Sequence, residues 1–225
     1  DSEVRLLVQI SGAFEKIILI LNINGLIDLE WLEQYPMIQS VLFMGIPGEE
    51  GCSAVSDLLT GRVNPSGRLP VSIAKKYKDY PAAENFTWDK ENPEQILTYE
   101  SYGLSAEENG SVGYEKSPVT FYQEDLYAGY RYFDSFDKEV LFPFGYGLSY
   151  SQFEISPVQL LQCSDGIEVI TKVLNVGAYP GKETVQVYLS CRHTSSERPY
   201  QELKGFEKTK LLNPGEEEEL HIKSF

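Results

Sequence analysis

The chain has 225 residues, 42% of them hydrophobic, and a formal charge of −15 from 34 acidic against 19 basic side chains. That length admits one large domain or two small ones, and the acidic balance lacks the basic footprint that a nucleic-acid partner requires. Cys52, Cys163 and Cys191 fall in no metal or disulfide pattern and are expected to be free, mostly structural thiols, and with His193 and His221 as the only histidines a metal cluster or Ser-His-Asp triad has little to build on.

Residues 2–14 carry apolar side chains at Val4, Leu7, Val8 and Phe14, the spacing of a one-sided helix with Ser2 as its cap. "KIILILNI" follows as a continuous apolar strand, the pattern of a parallel strand covered on both faces. It contains the longest apolar run, too short to span a bilayer. "DLEWLEQY" predicts a short helix and "IQSVLFMGI" a second buried strand. "PGEEGCSAVSDLLTG" predicts a helix opened by Pro47-Gly48, with Glu49 and Glu50 in its first turn and a stop at Gly61. "NPSG" is a turn and "RLPVSI" a third strand. Strands alternating with helices mean α/β architecture with a parallel sheet. Such sheets average about five or six strands, so residues 1–81 are expected to be the second half of an α/β sandwich domain.

Residues 82–121 are polar and irregular, an insertion expected to be the most mobile or variable part of the fold. They hold two glycosylation sequons, Asn85-Phe86-Thr87 and Asn109-Gly110-Ser111, a pattern that is common by chance and needs a secreted context to act. Residues 122–152 form an aromatic connector ending in "LFPFGYGLSY". Gly145 and Gly147 are expected in tight backbone geometry there, with Phe142, Phe144 and Tyr150 buried. Residues 153–225 carry only strand signals separated by "GAYPG" and "NPGE". Val185, Val187 and Leu189 alternate with Gln186 and Tyr188, a half-buried strand. The unit is expected to be an immunoglobulin- or fibronectin III-like β-sandwich cut short at its C-terminus.

No catalytic constellation stands out. Glu49 and Glu50 suit a helix N-terminus better than an acid/base pair, and Glu216–Glu219 suit a charged edge strand better than a cation site. "GCSAV" lacks the second glycine of a nucleophile elbow. The densest candidate is "YQEDLYAGYRYFDSF", in which Glu124, Asp125 and Arg131 lie among Tyr127, Tyr130 and further aromatics. Carboxylates and arginine beside aromatic platforms suit a sugar, whose C–H face stacks on a ring. The preferred alternative is that Arg131 pairs with an internal acid while the aromatics pack between domains.

Taken in order, "GIPGEEGCSAVSDLLTGRVNPSGRLPVSI", "GYRYFDSF", "LFPFGYGLSYSQFE", "LNVGAYPGKETVQVYLS" and "RPYQELKGFEKTKLLNPGE" resemble family 3 glycoside hydrolases, the β-glucosidase group. The resemblance implies an α/β sandwich domain joined by the aromatic run to a fibronectin type III-like domain. It also implies a retaining enzyme, with an Asp nucleophile on a TIM-like barrel and a Glu acid/base on a loop, both expected outside this stretch. No catalytic residue is therefore expected within it. Glu124, Asp125, Tyr127, Tyr130 and Arg131 are substrate-rim or interdomain candidates. The implied partner is a β-linked oligosaccharide or aryl glucoside, with no metal or cofactor, no nucleic acid and no membrane; a homo-oligomer is compatible with it, and β-xylosidase specificity stays open. The bacterial cytoplasm is preferred over secretion. The alternative is a non-catalytic carbohydrate-binding or adhesion module of the same domains.

Overall fold

The computed structural model describes residues 2–84, 96–105, 118–120, 122–156, 158–164, 166–191 and 196–224. Both sequons, His193 and much of the 82–121 segment lie outside them.

Helix α1 (Ser2–Ala13) takes Ser2 into its first turn rather than at the cap. Leu7 and Ile10 are half-buried, while Val4 and Val8 are exposed. Strands β1 (Ile17–Leu21) and β2 (Ile38–Phe43) pair in parallel, from Ile17 opposite Ile38 to Leu21 opposite Phe43. Between them, Glu30–Gln34 makes a 3-10 turn instead of a short α-helix, tied by the Trp31 indole N–H donating to the Asp28 carbonyl at 2.9 Å. Helix α2 (Gly51–Leu59) starts later than its pattern predicts. Gly48 has φ +66°, a left-handed conformation that cannot continue a right-handed helix. Glu49 and Glu50 therefore precede the first turn.

The main departure concerns the third strand. Residues 68–73 do not extend the parallel sheet. Only β3 (Ile73–Ala74) is a strand, and it pairs antiparallel with β4 (Val140–Phe142). Pro70 lacks an N–H for a ladder, and the Leu69 backbone is already engaged: its N–H donates to Tyr146 O and its carbonyl accepts from Gly145 N, both at 2.8 Å. The core of this half gathers Leu21, Leu29 and Ile73 with Trp31, Val41, Phe43 and Leu69, and it takes in Leu141 and Phe142 from the connector.

The second half is all strand. The long β7 (Gly166–Asn175) carries β5 (Phe153–Ile155) and β6 (Gln159–Cys163) along one side and β10 (Glu217–Ser224) along the other, all antiparallel. Strands β8 (Thr184–Leu189) and β9 (Glu202–Lys208) form a second antiparallel pair. Val169, Val173, Val185, Leu212, Leu220 and Ile222 close the core between them. Asn175 is fully buried beside it with its amide satisfied. Its Nδ2 donates to Tyr179 O and Leu212 O at 2.8 Å, and its Oδ1 accepts from Ser151 Oγ at 2.7 Å and Gly177 N at 3.0 Å. Strand β10 ends the sheet, and Glu216–Glu219 are taken up locally by Asn213, Lys210, Lys172 and His221. All three cysteines are free, as expected, and all are exposed.

The connector is where the two halves meet. Asn64 Oδ1 accepts from Ser149 Oγ at 2.9 Å and from Tyr150 N at 2.8 Å, while its Nδ2 donates to Pro180 O at 3.0 Å. Arg68, 14% exposed, donates to Gly147 O and pairs with Glu183, itself 14% exposed. Lys208 Nζ donates to Ser66 O at 2.9 Å. The glycine expectation holds: Gly145 sits at φ +78° against the Gln186 amide, and a Cβ at Gly147 would lie 2.5 Å from Gly67 O. The burial expectation holds only in part. Phe142 and Phe144 are half-buried, and Tyr150 is 48% exposed because its hydroxyl reaches out to donate to Leu58 O at 2.9 Å.

Candidate functional site

Residues 122–139 are positioned by two reversals around one short helix. Asp125–Tyr127 is a 3-10 turn, Gly129 takes φ 64° and ψ −132°, and α3 (Tyr130–Ser135) follows. Asp125 (φ 44°) and Asp137 (φ 50°) are the non-glycine residues with positive φ among those described. Aspartate tolerates that region because its short polar side chain can bond locally. Phe133, 2% exposed, anchors the helix and meets the rings of Tyr80 and Tyr132 edge-on at 5.7 and 5.4 Å. The Tyr80 hydroxyl accepts from Ala74 N at 3.0 Å and donates to Ser72 O at 3.1 Å, and burial raises its pKa.

The five residues singled out in the sequence face three ways. Tyr130 turns inward. Its ring stacks on Phe144 at 4.7 Å and meets Tyr188 edge-on at 5.9 Å, and its hydroxyl accepts from Leu203 N at 2.7 Å. Its ring thus packs between the connector and β8. Burial beside Tyr130 and Asp134 pushes the Tyr188 phenol up to about 12.

Asp125 and Arg131 line a 390 Å³ pocket with Glu197, Arg198 and Glu202. Arg131 Nε lies 3.6 Å from Glu202 Oε1, and its guanidinium sits 5.6 Å from the Tyr130 ring centroid. Lys204 shares Glu202 at 3.4 Å. Arg131 thus lies in ion-pair range of Glu202, while its Nε is buried without a hydrogen-bond partner among the described residues.

Glu124 and Tyr127 face a different, open groove of 690 Å³, lined also by Tyr132, Phe136, Lys75 and Lys138. The Phe136 ring lies 5.0 Å from Tyr127 and 5.2 Å from Tyr132, both tilted. The Tyr127 hydroxyl donates to Glu197 Oε1 at 3.0 Å; its pKa is raised, first by desolvation and then by that carboxylate. Lys75 pairs with Glu139, which raises the one pKa and lowers the other. Glu124 Oε2 is buried without a hydrogen-bond partner among the described residues.

The sequence missed Tyr132 and Phe136 as members of this groove. Their signal was present, since i and i+4 positions share a helix face, but the composition of the segment drew attention to its charges. Among the described residues no group of three or more His, Cys, Asp or Glu could hold a metal ion, and no helix is long and apolar enough to cross a membrane. His221 stands on β10 between Glu168 and Glu219, 3.3 Å from each.

Comparison with known proteins accounts for both halves. Residues 1–150 match the glycosyl hydrolase family 3 C-terminal domain and residues 183–224 a fibronectin type III-like domain. A β-glucosidase of Ruminococcus albus is 36% identical over 99% of this chain, which spans 20% of that protein. Thermostable β-glucosidase B of Acetivibrio thermocellus is 34% identical over 96% of the chain, which spans 25% of it. The structure of β-glucosidase 3B from Thermotoga neapolitana in complex with α-D-glucose superposes with a TM-score of 0.78 at 34% identity, covering 98% of this chain and 28% of that one. The chain thus spans about a fifth to a quarter of the relatives it matches. The α/β half with its aromatic connector, followed by the β-sandwich, belongs to glycosyl hydrolase family 3.

Proposed function

We propose that this chain is the non-barrel portion of a retaining glycoside hydrolase that releases terminal β-D-glucose from β-glucosides. The observation that carries this is the match to proteins named β-glucosidases over 99% and 96% of the chain. The exposed apolar side chains of Val4, Val8, Phe14 and Ile18 support it, since such a face suits coverage by other parts of a larger enzyme. Retaining chemistry needs two carboxyl groups about 5–5.5 Å apart, one attacking the anomeric carbon and one serving as acid and then base. No such pair is assigned to these residues. The role of this chain is instead to hold the β-sandwich rigidly against the α/β half through the connector.

The test is hydrolysis of an aryl β-glucoside, with an aryl β-xyloside beside it, by the full-length parent and by the 225-residue chain. The parent is expected to turn over the glucoside, and the chain to be inert. Chain activity within about a hundredfold of the parent would place a catalytic pair inside these residues, because loss of cooperating catalytic groups removes several orders of magnitude. An inert parent would favour a carbohydrate-binding module instead.

A further inference from the structure

We infer that the open edge of β6 is a self-association surface, at which two copies of the full-length protein pair β6 against β6, antiparallel, about a two-fold axis at Leu161. This goes beyond the proposed hydrolysis and does not rest on it, since neither catalysis nor the barrel enters the contact.

Three features of the strand point there. The first is exposure. Strand β6 pairs with β7 and with no other described strand, and every one of its side chains is exposed, Leu160 at 66% and Leu161 at 46%. Leu160 lies opposite the core residue Val169 and so shares the inner face of the sheet, yet it stays uncovered. The second is the missing guard. Edge strands resist pairing by carrying charges, proline or bulges. The sequence QLLQC has no charge and no proline, and its register against β7 is unbroken. By contrast β10 carries Glu217, Glu218 and Glu219, and β9 carries Glu202, Lys204 and Glu207. Strand β8 is uncharged too, but it packs on the core and the connector, and only Leu189 is exposed.

The third is symmetry. Ser156 N donates to Lys172 O on one side of β7, and Asn175 N donates to Glu216 O on the other. Strand β7 runs without a register break, so its even-numbered residues bond toward β5 and β6 and its odd-numbered ones toward β10. Gln159, Leu161 and Cys163, opposite Ile170, Glu168 and Gly166, therefore spend their backbone groups on β7. Leu160 and Gln162 turn theirs to the open edge, one on each side of Leu161. A two-fold axis at Leu161 sets Leu160 opposite Gln162 of the second copy, and does so twice, each pair exchanging both N–H···O bonds.

Charge favours a second copy over a basic segment. The chain carries −15, but β6 offers no carboxylate to hold a cation and suits a strand as neutral as itself. Repulsion between two acidic copies remains, and so short a contact falls below the about 1,000 Å² of a stable interface. The dimer is therefore reversible, and salt strengthens it by screening that repulsion.

The test is sedimentation velocity of the full-length parent over a range of protein and sodium chloride concentrations. A monomer–dimer equilibrium is expected, shifting toward dimer as salt is added. Leu160→Pro removes an N–H that faces the open edge and leaves the β7 ladder intact, so with one bond lost per copy the dimer should weaken about tenfold or more. In a background of Cys52→Ser, Cys163→Ser and Cys191→Ser, Leu161→Cys should form an interchain disulfide on mild oxidation, because directly opposed Cα atoms about 4.5 Å apart lie within disulfide range. Val158→Cys should not, since its two copies would stand about 20 Å apart along the strands. If Leu160→Pro lowers Tm, the cross-link decides alone. A parent that stays monomeric at every salt concentration, a dimer indifferent to Leu160→Pro, absence of the Leu161→Cys cross-link, or equal cross-linking through Val158→Cys would overturn the inference. So would protection of the Leu160 and Gln162 amides from hydrogen exchange in the monomer, which would mean that another strand already occupies the edge. An inert parent in the hydrolysis assay leaves the inference standing, and a monomeric parent leaves the hydrolysis untouched.

Discussion

Replacing Arg68 by methionine should uncouple the two halves of the chain. Arg68 and Glu183 are each only 14% exposed, and the guanidinium also serves the Gly147 carbonyl. Removing one member of a buried pair costs about 3–5 kcal/mol, mostly from the charge left behind. Here the lower end applies. Glu183 keeps the Thr184 N–H at 2.7 Å, and its residual exposure admits some water. A loss of about 3 kcal/mol corresponds to about 6–12 °C in Tm for a chain of this size. The double variant with Glu183→Gln should recover part of it, because no carboxylate is then stranded. Calorimetry measures the shift, and amide hydrogen exchange locates it. In the parent chain the Leu21 and Ile73 amides should open with the same free energy as Val173 and Leu220. In Arg68→Met the two sets should separate. A Tm within about 1 °C of the parent, or two sets that still exchange together, would refute the view that this pair couples the halves.

Asn175→Leu should cost about 2–3 kcal/mol, measured by urea unfolding, since it removes the donor to Tyr179 O and the acceptor of Ser151 Oγ, while Leu212 O keeps the Gly181 N–H. Gly145→Ala should cost about 1–3 kcal/mol by the same assay, for the positive φ of 78° and the approach of Gln186. In alkali, the raised Tyr188 pKa of about 12 means that the unfolded phenol ionises first. Its stabilisation is complete below the ordinary tyrosine value of 10.0 and is lost as pH climbs through about 12, so Tyr188→Phe should flatten the fall in Tm over that window. In acid, Glu216 is held below the ordinary carboxylate value of 4.5 by the Asn213 N–H and then by Lys210, so its contribution is present above 4.5 and lost as pH falls below it. Glu216→Gln should therefore lower Tm at neutral pH and change it least at the acid end.

The succession of elements was legible because its causes are local. Apolar continuity in residues 17–23 and alternation in 185–189 are properties of a few neighbours, and they predicted β1 and β8. The succession of motifs likewise carried the family resemblance. Legibility failed where the deciding partner is distant. Residues 68–73 have strand composition, but the backbone bonds of Leu69 go to Gly145 and Tyr146. Tyr150 looks like a core ring until its hydroxyl finds Leu58.

Glu124, Asp125, Tyr127, Tyr130 and Arg131 crowd into eight positions, and nothing in their order says that they face three ways. Left-handed turns at Asp125 and Gly129, and an anchor at Phe133 set by Tyr80, decide that. By itself the sequence determined those elements whose pattern is local, such as β1, β2 and β8, since backbone preference and periodicity act over a few residues. Only the tertiary structure decided which polar groups are satisfied by protein and which, like Glu124 Oε2, remain without a partner among the described residues. The reason is that a hydrogen bond such as Arg68 to Glu183 joins positions 115 residues apart, and no local pattern encodes so distant a partner.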